Sequence, residues 1–146
     1  MRRALTAGLV AAIAALGAAC GSDEDPQADA VAEAYTTYIE AVKAGDGETA
    51  CRLLTPARRR EAAESVAVGN RAKLKGLSCE EAVSQGTLPQ IQQVEPNLED
   101  IEVNGNRASG LDPGEGLIGP QEVRFRRLGG QWKISKTVFY RRGPPQ

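Results

Sequence analysis

Apolar side chains recur along the chain with two different periods, and the change from one to the other divides it. From Ala28 to Ala44 they return every three or four residues: Val31, Tyr35, Tyr38 and Val42, with Ala34, Ile39 and Ala41 widening the stripe. That spacing predicts an amphipathic helix, with Glu33, Thr36, Thr37, Glu40 and Lys43 on its solvent side. Gly45 ends it, and Asp46 caps the next helix. This second helix is predicted over about Gly47 to Leu54, presenting Ala50, Cys51, Leu53 and Leu54. Thr55-Pro56 then pairs a capping residue with proline at the first helical position, so a third helix starts at once and runs to about Gly69. Its polar surface carries Arg58-Arg59-Arg60 offset by Glu61 and Glu64. Ser78 and Glu81 form a capping box that opens a short helix through Ala82 and Val83, stopping near Gly86.

After Pro89 the period falls to two. Leu98, Ile101 and Val103 lead into Asn104-Gly105, a strong hairpin signal, and Arg107 to Leu111 returns. In the first of these strands, alternation puts Glu99 on the face of Ile101 and Val103, with Asp100 and Glu102 opposite. Glu99 is therefore the acid expected to point inward. Asp112 to Gly119 is rich in turn formers and reads as a loop. Glu122 to Leu128 alternates Val123 and Phe125 with Arg124 and Arg126. Gly129-Gly130 turns the chain, and Gln131 to Tyr140 comes back with Trp132, Ile134, Val138 and Tyr140 on one face. A two-residue turn pairs Arg127 with Trp132 and Phe125 with Ile134. Lys136 falls on that apolar face too, which points to a bulge or an exposed strand end. Helices first and an antiparallel sheet second make an α+β domain, its long first helix lying across the sheet.

The N-terminus belongs to a different kind of segment. Arg2 and Arg3 precede an unbroken apolar run from Ala4 to Ala19, and then comes Cys20. Sixteen helical residues span about 24 Å, short of the roughly 30 Å bilayer core, which suits a cleaved export signal better than a permanent span. Leu16-Gly17-Ala18-Ala19-Cys20 resembles a bacterial lipobox, in which the cysteine becomes the diacylglyceryl-modified first residue of the mature chain. Ordinary cleavage after Ala19, or an uncleaved anchor, are the alternatives. The commonest lipobox has leucine three residues before the cysteine; here Gly17 holds that position. The organisation expected is a signal over 1–19, a flexible acidic tether over 20–29, one domain over 30–140 and a basic tail over 141–146. The tether, GSDEDPQAD, cannot bury enough apolar surface to fold, and its acidity argues against lying flat on anionic lipid.

Composition narrows the chemistry. The 146 residues include no His, which removes Ser-His-Asp triads, imidazole bases and His-ligated zinc; no metal or other cofactor is expected. Apart from Cys20 the chain has Cys51 and Cys79. In an exported protein these two have one intramolecular pairing, a disulfide closing a loop of about 29 residues. A redox-active pair is the rival, although reactive dithiols usually sit in C-x-x-C. From Gln121 onward seven basic residues face the single acid Glu122. Arg124, Arg126 and Lys133 share one surface if the last two strands are neighbours. This is a candidate docking face for an anionic partner or the envelope, or else a solubilising strand face. Export argues against a nucleic-acid role.

Taken in order, Ala34-x-x-x-Tyr38, Ala44-Gly45-Asp46, Cys51-x-Leu53-Leu54, the Cys79 helix, Gly105-x-Arg107-Ala108 and Gly130-Gln131-Trp132-Lys133-Ile134 resemble the nuclear transport factor 2-like superfamily. More narrowly, they resemble its small lipoproteins from high-GC Gram-positive bacteria. The resemblance implies a cone, with a strongly curved antiparallel sheet wrapped around the first helix and a pocket at the wide end. Tyr35, Tyr38, Phe125, Trp132 and Ile134 would line that pocket. Active relatives in the superfamily use an Asp or Asp-His base, and the patterns that need His fail here. The expectation is a non-catalytic domain on the outer face of the cell membrane, held by a diacylglyceryl-Cys20, that binds a small apolar ligand or a partner protein. A ligand-free envelope accessory and an isomerase-like enzyme are the alternatives.

Overall fold

The computed structural model describes residues 25–69, 76–86, 89–114 and 119–140. The signal, residues 20–24 of the tether with Cys20 among them, and the basic tail lie outside these residues, whereas 26–29, expected in the tether, open the first helix. Helix α1 spans Pro26–Ala44, starting two residues before the apolar stripe because Asp25 caps it, its carboxylate accepting from the Gln27 N–H, with proline at the first position. Gly45 closes it in the left-handed region, at φ 69°. The stripe that is buried runs Val31, Tyr35, Ile39, while Tyr38 sits at its margin. Helices α2 (Gly47–Arg52), α3 (Pro56–Gly69) and α4 (Cys79–Gly86) come next. The capping box at α4 is made reciprocally: the Ser78 N–H donates to Glu81 Oε2 at 2.8 Å and the Glu81 N–H to Ser78 Oγ at 3.2 Å.

Cys51 and Cys79 are bonded, with their Cα atoms 6.1 Å apart, as the cysteine inventory predicts. The bridge clamps α4 against α2. The two backbones come so close that a Cβ on Gly47 would lie 2.2 Å from the Glu80 carbonyl oxygen, which is why α2 opens on glycine. Ser84 Oγ ties the same helix to the Gly45 carbonyl at 3.1 Å.

After a 3-10 turn over Pro89–Gln93 come β1 (Glu99–Asn104), β2 (Arg107–Asp112), β3 (Gln121–Leu128) and β4 (Gln131–Phe139), paired antiparallel in the order β1-β2-β3-β4. Both hairpins turn through two residues. Gly129 and Gly130 both have positive φ, the combination that matches the twist of the flanking strands. Arg127 opposes Trp132 and Phe125 opposes Ile134, as expected. One face of the sheet, called inner here, packs on α1, which touches both outer strands. The core joins Val31, Tyr35 and Ile39 to Leu54, Val123, Phe125, Trp132 and Ile134, with the Tyr35 and Phe125 rings edge to face.

The cone is not formed. β1 and β4 are the two ends of an open meander and do not meet. The physical reason is width. Four strands span about 14 Å, whereas wrapping half-way around a helix at a layer spacing of about 10 Å needs roughly 31 Å of sheet. The sheet therefore lies on one side of α1 instead of enclosing it. Beyond β4, the edge is covered by a short parallel bridge in which the Thr55 N–H donates to Ile134 O and the Ile134 N–H to Leu53 O.

Candidate functional site

Two bulges decide which side chains face which way. In β4, Phe125 opposes Ile134 but Arg124 opposes Lys136, so Ser135 is an extra residue. Past it the alternation inverts. Lys136 moves to the outer face, Thr137 turns inward opposite Val123, and Val138 turns outward opposite Glu122. The bulge that Lys136 pointed to is present, and it separates Val138 and Tyr140 from Trp132 and Ile134. In β1 the register slips between Glu99 and Glu102, beside Asp100 at φ 48°. Glu99 opposes Leu111 and Glu102 opposes Ser109, two residues on one face of β2, so Glu99 points outward with Glu102. Its expected inward position is lost to that slip.

The carboxyl group that is inside belongs to Asp112, which the sequence places in a loop. It ends β2 instead, continuing the inner-face alternation Ala108, Gly110, Asp112, and it opposes Gln121 at the start of β3. Asp112 is 3% exposed, Tyr35 2% and Gln121 8%. Asp112 Oδ2 accepts from the Tyr35 hydroxyl and, at 2.9 Å, from Gln121 Nε2; Oδ1 accepts from the Gly114 N–H at 2.8 Å. Burial first, and then the bond to Asp112, hold the Tyr35 hydroxyl well above the ordinary tyrosine range. Burial raises Tyr38 as well. Both oxygens of Asp112 are engaged and the group is enclosed, so the arrangement is that of a satisfied core network.

The five residues expected to line a pocket sit in this core. Tyr35, Phe125, Trp132 and Ile134 are buried against one another, with Tyr38 packed beside them. The concavity lies on the opposite side of the sheet, and of these five Phe125 borders it. It is a groove of about 640 Å³ across the outer face, walled at one side by Thr55, Pro56 and Ala57 where α3 begins. The strand register sets its floor in transverse rows. Glu102, Ser109, Arg124 and Lys136 form one, and Asn104, Arg107 and Arg126 the next, a row that Lys133 continues on β4 outside the groove lining. The structure thus brings Arg124, Arg126 and Lys133 onto one surface and adds Arg107 and Lys136, which sequence reasoning did not place there. They occupy alternate strand positions, but the bulge hid the side on which Lys136 falls.

Within the groove Arg124 forks onto Glu122, Nε to Oε1 at 2.5 Å and Nη2 to Oε2 at 3.2 Å, and the Tyr140 hydroxyl donates to the same carboxylate at 2.8 Å. These bonds, that from Arg124 foremost, hold Glu122 below the usual carboxylate range. Lys133 Nζ donates to the Arg52 carbonyl at 2.6 Å. Its pKa is depressed by partial burial and then by Arg59 and Arg52 nearby. Among the described residues no three His, Cys, Asp or Glu side chains come together as a metal site, and no helix is long and apolar enough to cross a membrane. No protein-family model, no curated protein and no solved structure matches the chain.

Proposed function

We propose that this chain is a non-catalytic, lipid-anchored domain on the outer side of the cell membrane that binds a partner protein through the outer face of its sheet. The observation that carries the proposal is the one-sided fold. The helices cover the inner face, while the outer face is left as a groove bearing Arg107, Arg124, Arg126 and Lys136 against Glu102 and Glu122. The charged side chains of this face suit the polar surface of an acidic partner. A sequence signal of export and the Cys51–Cys79 bond agree with an oxidising compartment. The enclosed Asp112 supports the non-catalytic reading, because a general base must reach the proton it takes.

The test is a photo-crosslinking side chain placed at Ser109 in the anchored protein within its own cells, with Glu40 on α1 as the control position. An adduct with an envelope protein at 109, lost on combining Arg124→Glu with Lys136→Glu, is the expected result. Equal or no adduct formation at the two positions would reject the groove as the binding surface.

A further inference from the structure

We infer that the hairpin-tip end of the domain rests on the membrane, with a row of cations on the sheet's outer side set against anionic phospholipid headgroups. This inference rests on the lipid-anchored reading and adds an orientation to it. The chain enters the domain at that end. Arg127, three residues before the β3–β4 turn ends, reaches Gln27 in the first turn of α1, Nη1 to Oε1 at 3.4 Å. The β1–β2 turn is at the same end, its Asn106 carbonyl accepting from the Arg127 N–H at 2.9 Å.

The tether is short by comparison with the domain. From Cys20 to Asp25 the chain can extend about 17 Å, whereas the eight residues of β3 run about 26 Å from the tips to the far end. A domain attached at Pro26 therefore cannot stand with its far end on the bilayer. The tip end is what the anchor holds down.

The chemistry of that end matches a headgroup layer. Arg107 and Arg126 lie side by side on adjacent strands, and Leu128, 39% exposed, projects next to the turn; Lys133, next in the row, is turned to the Arg52 carbonyl. Among the described residues, Arg107 and Arg126 have no carboxylate partner. Of the described acids near this end, Asp25 and Asp29 belong to the start of α1 on the helix side of the sheet, and Glu102 lies on the outer face one row behind the cations. The end is thus polarised across its thickness. Attraction of the outer-side row and repulsion of the helix side tilt the domain so that the row and Leu128 face the lipid. The remainder of the groove, around Ser109, Arg124 and Lys136, stays open to a partner.

The experiment uses the full mature chain, lipidated on Cys20, in vesicles of phosphatidylcholine alone or with about a third phosphatidylglycerol, their acyl chains brominated to quench tryptophan. Flotation and intact mass first establish that the protein is lipidated and vesicle-bound. Leu128→Trp reports on the tips, Phe139→Trp on the far end, where Phe139 is 63% exposed and Arg141 and Arg142 follow after Tyr140 in sequence, and the wild type supplies the Trp132 background. The expected result is a loss of Leu128→Trp fluorescence in the anionic vesicles, reduced when Arg107→Glu and Arg126→Glu are added and reduced at high salt, with no loss for Phe139→Trp. Protein that is lipidated and bound but shows no quenching at 128, equal quenching at 128 and 139, or quenching indifferent to anionic lipid overturns the inference while leaving the anchor intact. Protein without a diacylglyceryl group overturns the anchor and the inference together.

Discussion

Asp112 shows how a single residue escapes a sequence reading. Asp-Pro-Gly is turn chemistry, and Asp112-Pro113-Gly114 does leave the sheet, but its first member still completes the inner-face alternation of β2. Its carboxyl group accepts from Tyr35, Gln121 and Gly114, partners drawn from α1, β3 and its own turn, so no local pattern announces them. Asp112→Ala leaves the Tyr35 hydroxyl buried without its acceptor and the Gln121 amide with only its longer bond to the Tyr35 oxygen, at 3.3 Å. Urea unfolding should show a loss of about 2–4 kcal/mol; a loss below about 0.5 kcal/mol would mean that the network is solvated. The Tyr35 hydroxyl adds a pH signature. Its ionisation is raised in the fold above the ordinary value of 10.0. Stability is therefore fully present below that pH and is lost above it, where the unfolded chain releases the proton first. The urea midpoint of the wild type should fall between about pH 9 and about pH 11, and that of Tyr35→Phe should start lower and fall less, Tyr38 and Tyr140 supplying the remainder. Parallel slopes for the two proteins would contradict this placement of Tyr35.

At the scale of elements, the helices and hairpins were legible because their ends are written locally. Thr55-Pro56, Ser78 with Glu81, Gly45, and Gly129-Gly130 each specify a terminus or turn through bonds made within a few residues. The facing of strands was legible only up to the bulges. Period-two reasoning carries forward until an extra residue inverts it, so Ser135 turned Val138 outward and the slip after Glu99 turned that acid outward. The disulfide was legible by elimination, since Cys51 and Cys79 had no other intramolecular partner once Cys20 was assigned to the anchor. It joins α2 to α4, a helix of eight residues that could not persist alone. Reduction should cost about 3 kcal/mol by urea midpoint and remove helical signal while the sheet signal persists. Loss of the strand signal in step with the helical signal would show that the bridge supports the sheet as well.

The described residues form a helical layer on one face of a narrow, open sheet, with the other face bordered only by the start of α3. The fold class was legible from the order of the two periods. Its curvature was not, because a resemblance spread over separate short motifs implies a cone that four strands are too few to close. The charge on the outer face was partly legible, through Arg124, Arg126 and Lys133, and the register of four strands was needed to collect Arg107 and Lys136 with them. The proposed docking surface and the proposed orientation on lipid both depend on the chain being outside the cell and held there by Cys20. Intact mass of the protein extracted from the membranes of its own cells tests that claim most directly. The expected chain begins at Cys20, carries a diacylglyceryl group and shows the mass deficit of one disulfide. A chain retaining residues 1–19 with free Cys51 and Cys79, recovered from the cytosol, would contradict it.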